Sequence, residues 1–162
     1  MTKHGAHMIN MHASGGLEMM KAAKASADKV SAERDILPPV LLGVTILTSI
    51  EETNFRLSFA SARTLSEQVV YFAQLAQEAG LDGVVASPLE IEPIRKACGD
   101  KFLIVTPGIR PTWAESDDQR RITTPAEAIR RGADYIVVGR PIIEAEDPLA
   151  AAEMILEEMK GA

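Results

Sequence analysis

The sequence lacks the features that define several large classes of protein. Only one of its 162 residues is a cysteine, Cys98, so the chain has no internal disulfide and suits a reducing compartment. No apolar run approaches the roughly 18 residues of a membrane span. The first residues, from Met1 to His7, contain no hydrophobic stretch of the signal-peptide kind. We therefore expect a soluble, cytoplasmic protein with no membrane partner.

Positive charge and familiar short motifs are also scarce. Seventeen Lys and Arg residues stand against 23 Asp and Glu, a formal charge of −6, which argues against a nucleic-acid partner but permits a local cationic pocket. There is no Walker loop, GxGxxG, GxSxG or HExxH sequence. His4, His7 and His12 have no accompanying cysteine or paired carboxylates at ligand spacing, so we predict no metal site.

What the sequence does contain is an ordinary globular composition and a repeated strand pattern. With 46% hydrophobic residues and no shift in composition along the chain, residues 1–162 are predicted to form a single domain. Short aliphatic runs predict five strands covered on both faces. These predicted strands are residues 8–12, 40–47, 83–87, 102–106 and 135–138.

Helical patterns separate these strands. Apolar residues on one face predict a helix that begins after the capping box at residues 64–67 and ends at Gly80. The same start signal, with proline at the first helical position, returns at residues 87–90 and 124–127. Further helices are predicted from Leu17 to about Lys29 and from about Pro148 to Lys160. Strands that alternate with crossover helices predict an α/β fold with a parallel sheet.

One junction between helix and strand recurs along the chain. Gly80-Leu-Asp-Gly-Val and Gly132-Ala-Asp-Tyr-Ile have the same form, and Gly5-Ala-His-Met-Ile repeats it after only four residues. The N-terminal copy is consistent with the tail of a helix that is not in this chain. A frayed turn before the first strand explains it equally well.

The carboxyl ends of the predicted strands are small, polar or cationic, and function collects at such ends in parallel α/β proteins. The connection from Thr106 to Thr124 is far longer than usual and contains several cations, among them Arg120 and Arg121, although a solvated arginine pair is the more ordinary interpretation of those two. After the last strand, Gly139 allows an anion to approach the backbone and Arg140 supplies a bidentate guanidinium. We predict an anion site here.

The same strand ends resemble the orotidine 5′-monophosphate decarboxylase family. The matching segments, in order, are residues 8–16, 42–49, 80–87, 104–111, 118–121 and 135–141. The combination of Thr-Pro-Gly-Ile-Arg-Pro, Asp-Gln-Arg-Arg and Val-Gly-Arg-Pro is highly specific. The resemblance implies a (β/α)8 TIM barrel, of which this chain carries about five consecutive βα units, strands four to eight. It also implies a dimer that converts orotidine 5′-phosphate to UMP and CO2 in pyrimidine biosynthesis without a metal or organic cofactor.

The resemblance assigns roles to five residues. Thr48 resembles the residue that hydrogen-bonds the pyrimidine ring. Arg110 resembles the arginine at the base of the phosphate-gripping loop, and Gln119 the loop side chain that folds over ring and phosphate. Gly139 and Arg140 resemble the backbone N–H and the guanidinium that hold the 5′-phosphate.

The family's catalytic signature, Asp-x-Lys-x-x-Asp, is absent, because no lysine here has an aspartate two residues before it. No catalytic residue is therefore assigned, and the isolated chain is predicted to be inactive. Three accounts remain open: the C-terminal part of a decarboxylase, which the intact recognition loops favour; a short protein that binds nucleotide or phosphate without catalysis; or one chain of a split enzyme. The open edges of a five-strand arc predict an oligomer, an aggregate or dependence on a partner fragment.

Overall fold

The computed structural model describes residues 1–114 and 123–161, within which five strands alternate with seven helices. The strands are β1 (Met8–His12), β2 (Val40–Val44), β3 (Gly83–Val85), β4 (Leu103–Thr106) and β5 (Tyr135–Ile136). The helices are α1 (Leu17–Arg34), α2 (Glu52–Phe59), α3 (Leu65–Glu78), α4 (Ile91–Cys98), α5 (Pro125–Arg130), α6 (Arg140–Ile143) and α7 (Pro148–Lys160). Short 3₁₀ turns lie at Thr2–His4, Ala13–Gly15 and Pro88–Glu90.

The five strands are parallel and stand side by side in chain order, from β1 to β5. A doubly wound sheet reverses its strand order at a switch point, whereas this order never reverses. Crossovers of one hand that always advance in the same direction place every connecting helix on the same face of the sheet. The predicted parallel α/β fold is confirmed, and its arrangement is that of an incomplete barrel.

The helix-covered face of the sheet carries the core. Leu41, Val84 and Ile104 are buried there and pack with the apolar side of α3. Gly43 lies on this face, where an added Cβ would stand 3.0 Å from the Cβ of Ala76 on α3. The absence of a side chain at this position therefore lets α3 approach β2 closely.

The opposite face, called here the inner face, is the one that would line a barrel. Along β1 the residues on this face are Met8, Asn10 and His12, which are exposed, in alternation with the half-buried Ile9 and Met11. The parallel register continues the inner face through the following strands. Its members there are Val40, Leu42, Val44, Gly83, Val85, Leu103, Val105 and Tyr135.

The capping box predicted before α3 is confirmed. Glu67 N donates to Thr64 Oγ1 at 3.2 Å, and Thr64 N donates to Glu67 Oε2 at 2.8 Å. The start signal at residues 124–127 forms one of the two hydrogen bonds of a capping box. Glu127 N donates to Thr124 Oγ1 at 3.3 Å, whereas the Glu127 carboxylate accepts from Arg131.

The start signal predicted at residues 87–90 is capped by Ser87 with proline at the first helical position, as predicted, but its first turn is a 3₁₀ turn and not α-helical. Ser87 Oγ accepts from Leu89 N at 3.3 Å, which caps the 3₁₀ turn Pro88–Glu90, and α4 begins only at Ile91.

Several predicted strands are shorter in the structure. The run 40–47 forms a strand only as far as Val44, and the next residue, Thr45, donates through both its N–H and its hydroxyl to the carbonyl of Val85. The runs 83–87, 102–106 and 135–138 form strands only over Gly83–Val85, Leu103–Thr106 and Tyr135–Ile136. Conversely, α1 continues past Lys29 to Arg34, and α2 was not predicted.

The recurrent glycine-x-aspartate junction ties neighbouring strands together at the amino edge of the sheet. Asp82 Oδ2 accepts a hydrogen bond from Leu41 N at 2.7 Å, and Asp134 Oδ2 accepts one from Ile104 N at 2.7 Å. In each case the aspartate before one strand binds the backbone of the preceding strand. At the N-terminal copy, where His7 stands in place of the aspartate, the carbonyl of His7 accepts from Val40 N at 2.9 Å, as the carbonyl of Asp82 accepts from Leu103 N at 3.0 Å.

Across the described residues, none of the helices combines the length and apolar character that crossing a lipid bilayer requires.

Candidate functional site

Because all five strands are parallel, the segments that follow them emerge at one edge of the sheet, the carboxyl edge. A cavity of about 190 Å³ opens there between the ends of β2 and β3. It is lined by Val44, Ile46, Leu47, Thr48, Ser49, Val85, Ala86 and Pro107. Apolar walls with a few hydroxyl groups suit a small organic ligand with a polar rim.

Thr48 is one of these lining residues and is itself buried. Helix α2 follows this segment in the chain, and its Phe55 is fully buried, with the Phe55 N–H donating to Glu51 O at 2.8 Å in the first turn of the helix. Glu52, at the start of α2, accepts from Arg56 Nε at 2.7 Å and from Leu65 N at 2.9 Å. These hydrogen bonds, the one from Arg56 first, lower the pKa of the Glu52 carboxyl and link α2 to the start of α3.

Arg110 follows β4 and is only 8% exposed. Its backbone is pinned across the ends of the long connection, since Arg110 N donates to Thr123 O at 2.9 Å and Thr123 N donates to Gly108 O at 3.3 Å. Its Nη1 donates to Ile109 O at 3.0 Å. Within residues 1–114 and 123–161, no carboxylate forms an ion pair with this guanidinium. A buried cation in such surroundings is unfavourable unless an anion joins it.

Gly139 and Arg140 follow β5 at the same edge. Gly139 is exposed, and an added Cβ there would meet no described atom within 4 Å, so its backbone borders open space. Arg140 is half-buried and begins α6. Val137 N donates to Thr106 O at 2.9 Å, which holds the chain leaving β5 beside the chain leaving β4.

Four of the five predicted site residues therefore stand along one edge. Thr48 shares its cavity with Pro107, which opens the segment that leads to Arg110, and the Val137–Thr106 hydrogen bond brings the segment of Gly139 and Arg140 alongside. The fifth, Gln119, lies outside the described residues, as do Arg120 and Arg121. Their roles in binding stay predictions.

The sequence assigned no binding role to two neighbours of this site. Ser49 lines the same cavity as Thr48. His12 lies on the inner face at the end of β1, paired in register with Val44 of the cavity wall; the sequence placed it at a strand end but assigned it no role in binding. The alternation of Asn10 and His12 with apolar residues along β1 was the available signal. Among the described residues, no group of three or more His, Cys, Asp or Glu side chains could hold a metal ion.

Comparison with known proteins places these features in one family. Residues 1–155 match the model of the orotidine 5′-phosphate decarboxylase / HUMPS family. The orotidine 5′-phosphate decarboxylase of Moorella thermoacetica is 51% identical over 156 residues, covering 96% of this chain and 62% of that protein. The enzyme of the same name from Trichlorobacter lovleyi is 53% identical over 155 residues, covering 96% and 63%.

Comparison with solved structures indicates the same family. The crystal structure of orotidine 5′-phosphate decarboxylase from Lactobacillus acidophilus matches with a TM-score of 0.80 and 40% identity, covering 98% of this chain and 65% of that one. The chain therefore spans less than two thirds of the length of these relatives. The match confirms the barrel class, with the barrel incomplete here. By sequence and by fold, the chain belongs to the orotidine 5′-phosphate decarboxylase / HUMPS family.

Proposed function

We propose that this chain is the nucleotide-binding part of an orotidine 5′-phosphate decarboxylase, which converts orotidine 5′-phosphate to UMP and CO2 in pyrimidine biosynthesis. The proposed protein acts in the cytoplasm as a homodimer or higher oligomer and needs no metal or organic cofactor. Residues 1–162 would form one domain, the C-terminal part of the barrel. The observation that carries this proposal is the buried guanidinium of Arg110 at the carboxyl edge, without a carboxylate partner among the described residues.

The proposed phosphate site combines two arginines and one backbone N–H. Arg110 and Arg140 would form charge-assisted hydrogen bonds with the 5′-phosphate, which are roughly twice as strong as neutral ones. Gly139 would add its N–H, because the absence of a side chain leaves room for phosphate beside the backbone. A bound dianion would also remove the desolvation penalty of the buried Arg110 guanidinium.

The proposed pyrimidine site is the neighbouring cavity. Its hydroxyl-bearing residues, Thr48 and Ser49, are set among apolar residues, as recognition of a flat ring with polar edges requires. Gln119 would fold over ring and phosphate, as the family resemblance implies. Remote phosphate binding of this kind can stabilise the transition state as well as the ground state of a reaction.

The chemical step would need groups that this chain does not have. The family's lysine stabilises the carbanion left at C6 and protonates it, and no lysine here stands in an Asp-x-Lys sequence. The lysines of this chain lie on helices, in the N-terminal 3₁₀ turn or in the turn before β4, and none lines the cavity. We therefore propose that the isolated chain binds nucleotide without decarboxylating it.

The missing catalytic motif also favours a second candidate, a protein that binds nucleotide or phosphate and has no catalytic partner. The two candidates share the binding site and differ in whether turnover appears once the remaining barrel units are supplied. Orotidine 5′-phosphate turnover, followed by ultraviolet absorbance with and without those units, separates them.

Calorimetric titration with UMP tests the shared site. Arg110→Gln should weaken UMP binding at least tenfold, because it removes a charge from a buried position. The matched control is Arg34→Gln, which makes the same change at an exposed position on α1. Equal affinity in wild type and Arg110→Gln, or no UMP binding by the wild-type chain, would contradict the proposed site.

A further inference from the structure

The two hydroxyl-bearing residues of the cavity, Thr48 and Ser49, lie in a tight turn. Ile50 N donates to Leu47 O at 3.0 Å, so Thr48 and Ser49 are the two central residues of that turn. Thr48 is buried and Ser49 is exposed. A hydroxyl recognises a ligand only where its own backbone is held in the right place, so the groups that fix this turn bear on binding.

The sheet fixes the N-terminal side of the turn. The β2 strand ends at Val44, and the next residue, Thr45, donates its N–H and its hydroxyl to Val85 O at 3.1 Å and 2.9 Å. A single residue, Ile46, separates Thr45 from the start of the turn. The pairing of β2 with β3 therefore sets the position of this side.

The C-terminal side of the turn leads directly into α2. This helix begins at Glu52, with one residue between it and Ile50. Of the described side chains of α2, only Phe55 is buried, where it joins the hydrophobic core. A short helix takes most of its stability from packing, and one apolar contact leaves it free to rotate about that contact. A directional bond is needed to fix its start.

Glu52 makes such a bond. Its Oε2 accepts from Leu65 N at 2.9 Å, while its Oε1 accepts from Arg56 Nε at 2.7 Å. Leu65 is the first residue of α3, whose Val69 and Phe72 are buried in the core. The first N–H groups of a helix have no acceptor within it, and the Glu52 carboxylate satisfies one of them. It thereby joins the start of α2 to a helix that the core holds in place.

We infer that Glu52 is a positioning residue for recognition of the pyrimidine ring. Its hydrogen bond to Leu65 N fixes the start of α2, and through α2 the turn that carries Thr48. Among the described residues, Glu52 is not one of those that line the cavity, so it acts through the turn and does not touch the nucleotide. The inference rests on the proposed function, in which the ring binds beside Thr48.

Amide hydrogen exchange without nucleotide tests the positioning step. Glu52→Ala should speed the exchange of the Ile50 N–H about tenfold, because the turn opens more often, and should leave the Ile104 N–H on β4 unchanged. Arg56→Ala on the same helix is the matched control. It removes the bond to Oε1 and keeps the bond from Leu65 N, so the exchange of Ile50 should match the wild type.

Calorimetry with two ligands tests the consequence for binding. Glu52→Ala should weaken UMP binding about fivefold, the equivalent of one hydrogen bond, and should leave binding of ribose 5-phosphate, which has no ring, unchanged. Glu52→Gln keeps an oxygen acceptor for Leu65 N and should restore most of the UMP affinity. In a Thr48→Ala background, Glu52→Ala should cause no further loss, because the hydroxyl that it positions is gone.

The outcomes separate this inference from the proposed function. Unchanged exchange at Ile50 in Glu52→Ala, or equal losses for UMP and ribose 5-phosphate, would overturn the inference. Additive losses in the double variant would also overturn it, since Glu52 and Thr48 would then act independently. A wild-type chain that binds neither ligand would overturn the proposed function, and the exchange at Ile50 would still decide whether Glu52 fixes the turn.

Discussion

Arg95 and Asp134 form an ion pair at the amino edge of the sheet, with Nη2 of Arg95 2.5 Å from Oδ2 of Asp134. The same carboxylate oxygen accepts from Ile104 N, and the guanidinium also donates to Gly132 O at 2.7 Å and to Phe102 O at 2.5 Å. One partly buried pair therefore joins α4, the start of β4 and the junction before β5. Asp82 makes the corresponding bond to Leu41 N, and within residues 1–114 and 123–161 no arginine forms an ion pair with it.

Because only Asp134 has an arginine partner, we predict that its substitution lowers the free energy of unfolding more than the same substitution of Asp82 does. Asp134→Ala should lower the free energy of unfolding by about 3 kcal/mol, because Ile104 N loses its acceptor and the partly buried Arg95 guanidinium loses its carboxylate partner and keeps only carbonyl acceptors. Asp82→Ala should cost about 1–2 kcal/mol, since one backbone N–H loses its acceptor. Urea denaturation of both variants measures this, and equal losses would show that Arg95 adds nothing to the junction.

Gly83 is predicted to tolerate no side chain. A Cβ at this position would overlap the carbonyl oxygen of Leu103 and lie 2.6 Å from the Leu103 Cβ. Gly83→Ala should therefore push β3 and β4 apart and lower the free energy of unfolding by about 1–3 kcal/mol. Gly161→Ala, after α7, is the control, because its nearest contact would be an ordinary 3.7 Å. Equal melting temperatures for the two variants would refute this close approach.

Thr48 is predicted to recognise the ring and not the phosphate. Thr48→Ala should weaken UMP binding by about 1 kcal/mol, the value of one hydrogen bond, and leave binding of inorganic phosphate unchanged. Thr53→Ala, at an exposed position on α2, serves as the control. Competition titrations with both ligands measure the effect, and equal losses for UMP and phosphate would assign Thr48 a purely structural role.

Arg140 is predicted to bind the phosphate directly. Arg140→Ala should weaken UMP binding by about 2–4 kcal/mol, because a charge-assisted pair with the phosphate is lost. Uridine, which has no phosphate, should bind both forms equally weakly. Calorimetry with the two ligands checks this, and a variant that keeps its affinity for UMP would remove Arg140 from the site.

The capping box before α3 predicts a pH dependence. Hydrogen bonds to its carboxylate, first from the backbone N–H of Thr64 and then from the hydroxyl of that residue, lower the pKa of Glu67. Because the pKa is lower in the folded state, this stabilisation is full above the unfolded value of about 4.3 and is lost as the pH falls through the folded value.

Substituting the capping residue tests this. Thr64→Val removes the hydroxyl and keeps the backbone N–H, so the pKa of Glu67 should rise part of the way towards its ordinary value. Side-chain NMR titration follows the carboxyl, and Thr53→Val is the control on α2. An unchanged pKa in Thr64→Val would mean that the hydroxyl does not hold this carboxylate.

Local patterns in the sequence were sufficient for the parts of the fold that depend on neighbouring residues. The strand at 8–12 and the capping box at 64–67 formed where they were predicted. Strand ends were less predictable, because a strand ends where its hydrogen-bonded pairing with the adjacent strand ends. At Thr45, for example, the backbone N–H and the side-chain hydroxyl both donate to the carbonyl of Val85, which lies on another strand. Helix α2 was missed because only Phe55 of its described side chains is buried.

For the candidate site, the sequence predicted the residue types and the edge on which they lie. The positions of Arg110, Gly139 and Arg140 followed from their places after predicted strands. The burial of Arg110 could not be predicted in this way. Hydrogen bonds join residues 108 and 110 to Thr123, at the far end of the long connection, and the length of that connection did not predict them. The joint lining of one cavity by Thr48 and Pro107 likewise required the register of β2, β3 and β4.

The order of the strands also has a consequence for the rate of folding. Every ladder in the described sheet joins strands that are consecutive in the chain, so contact order is low for a parallel fold. No pairing has to wait for the first and last strands to meet, and each βα unit needs only the unit before it as a template. We therefore expect folding to proceed by successive addition of units, with its rate set by the slowest single addition.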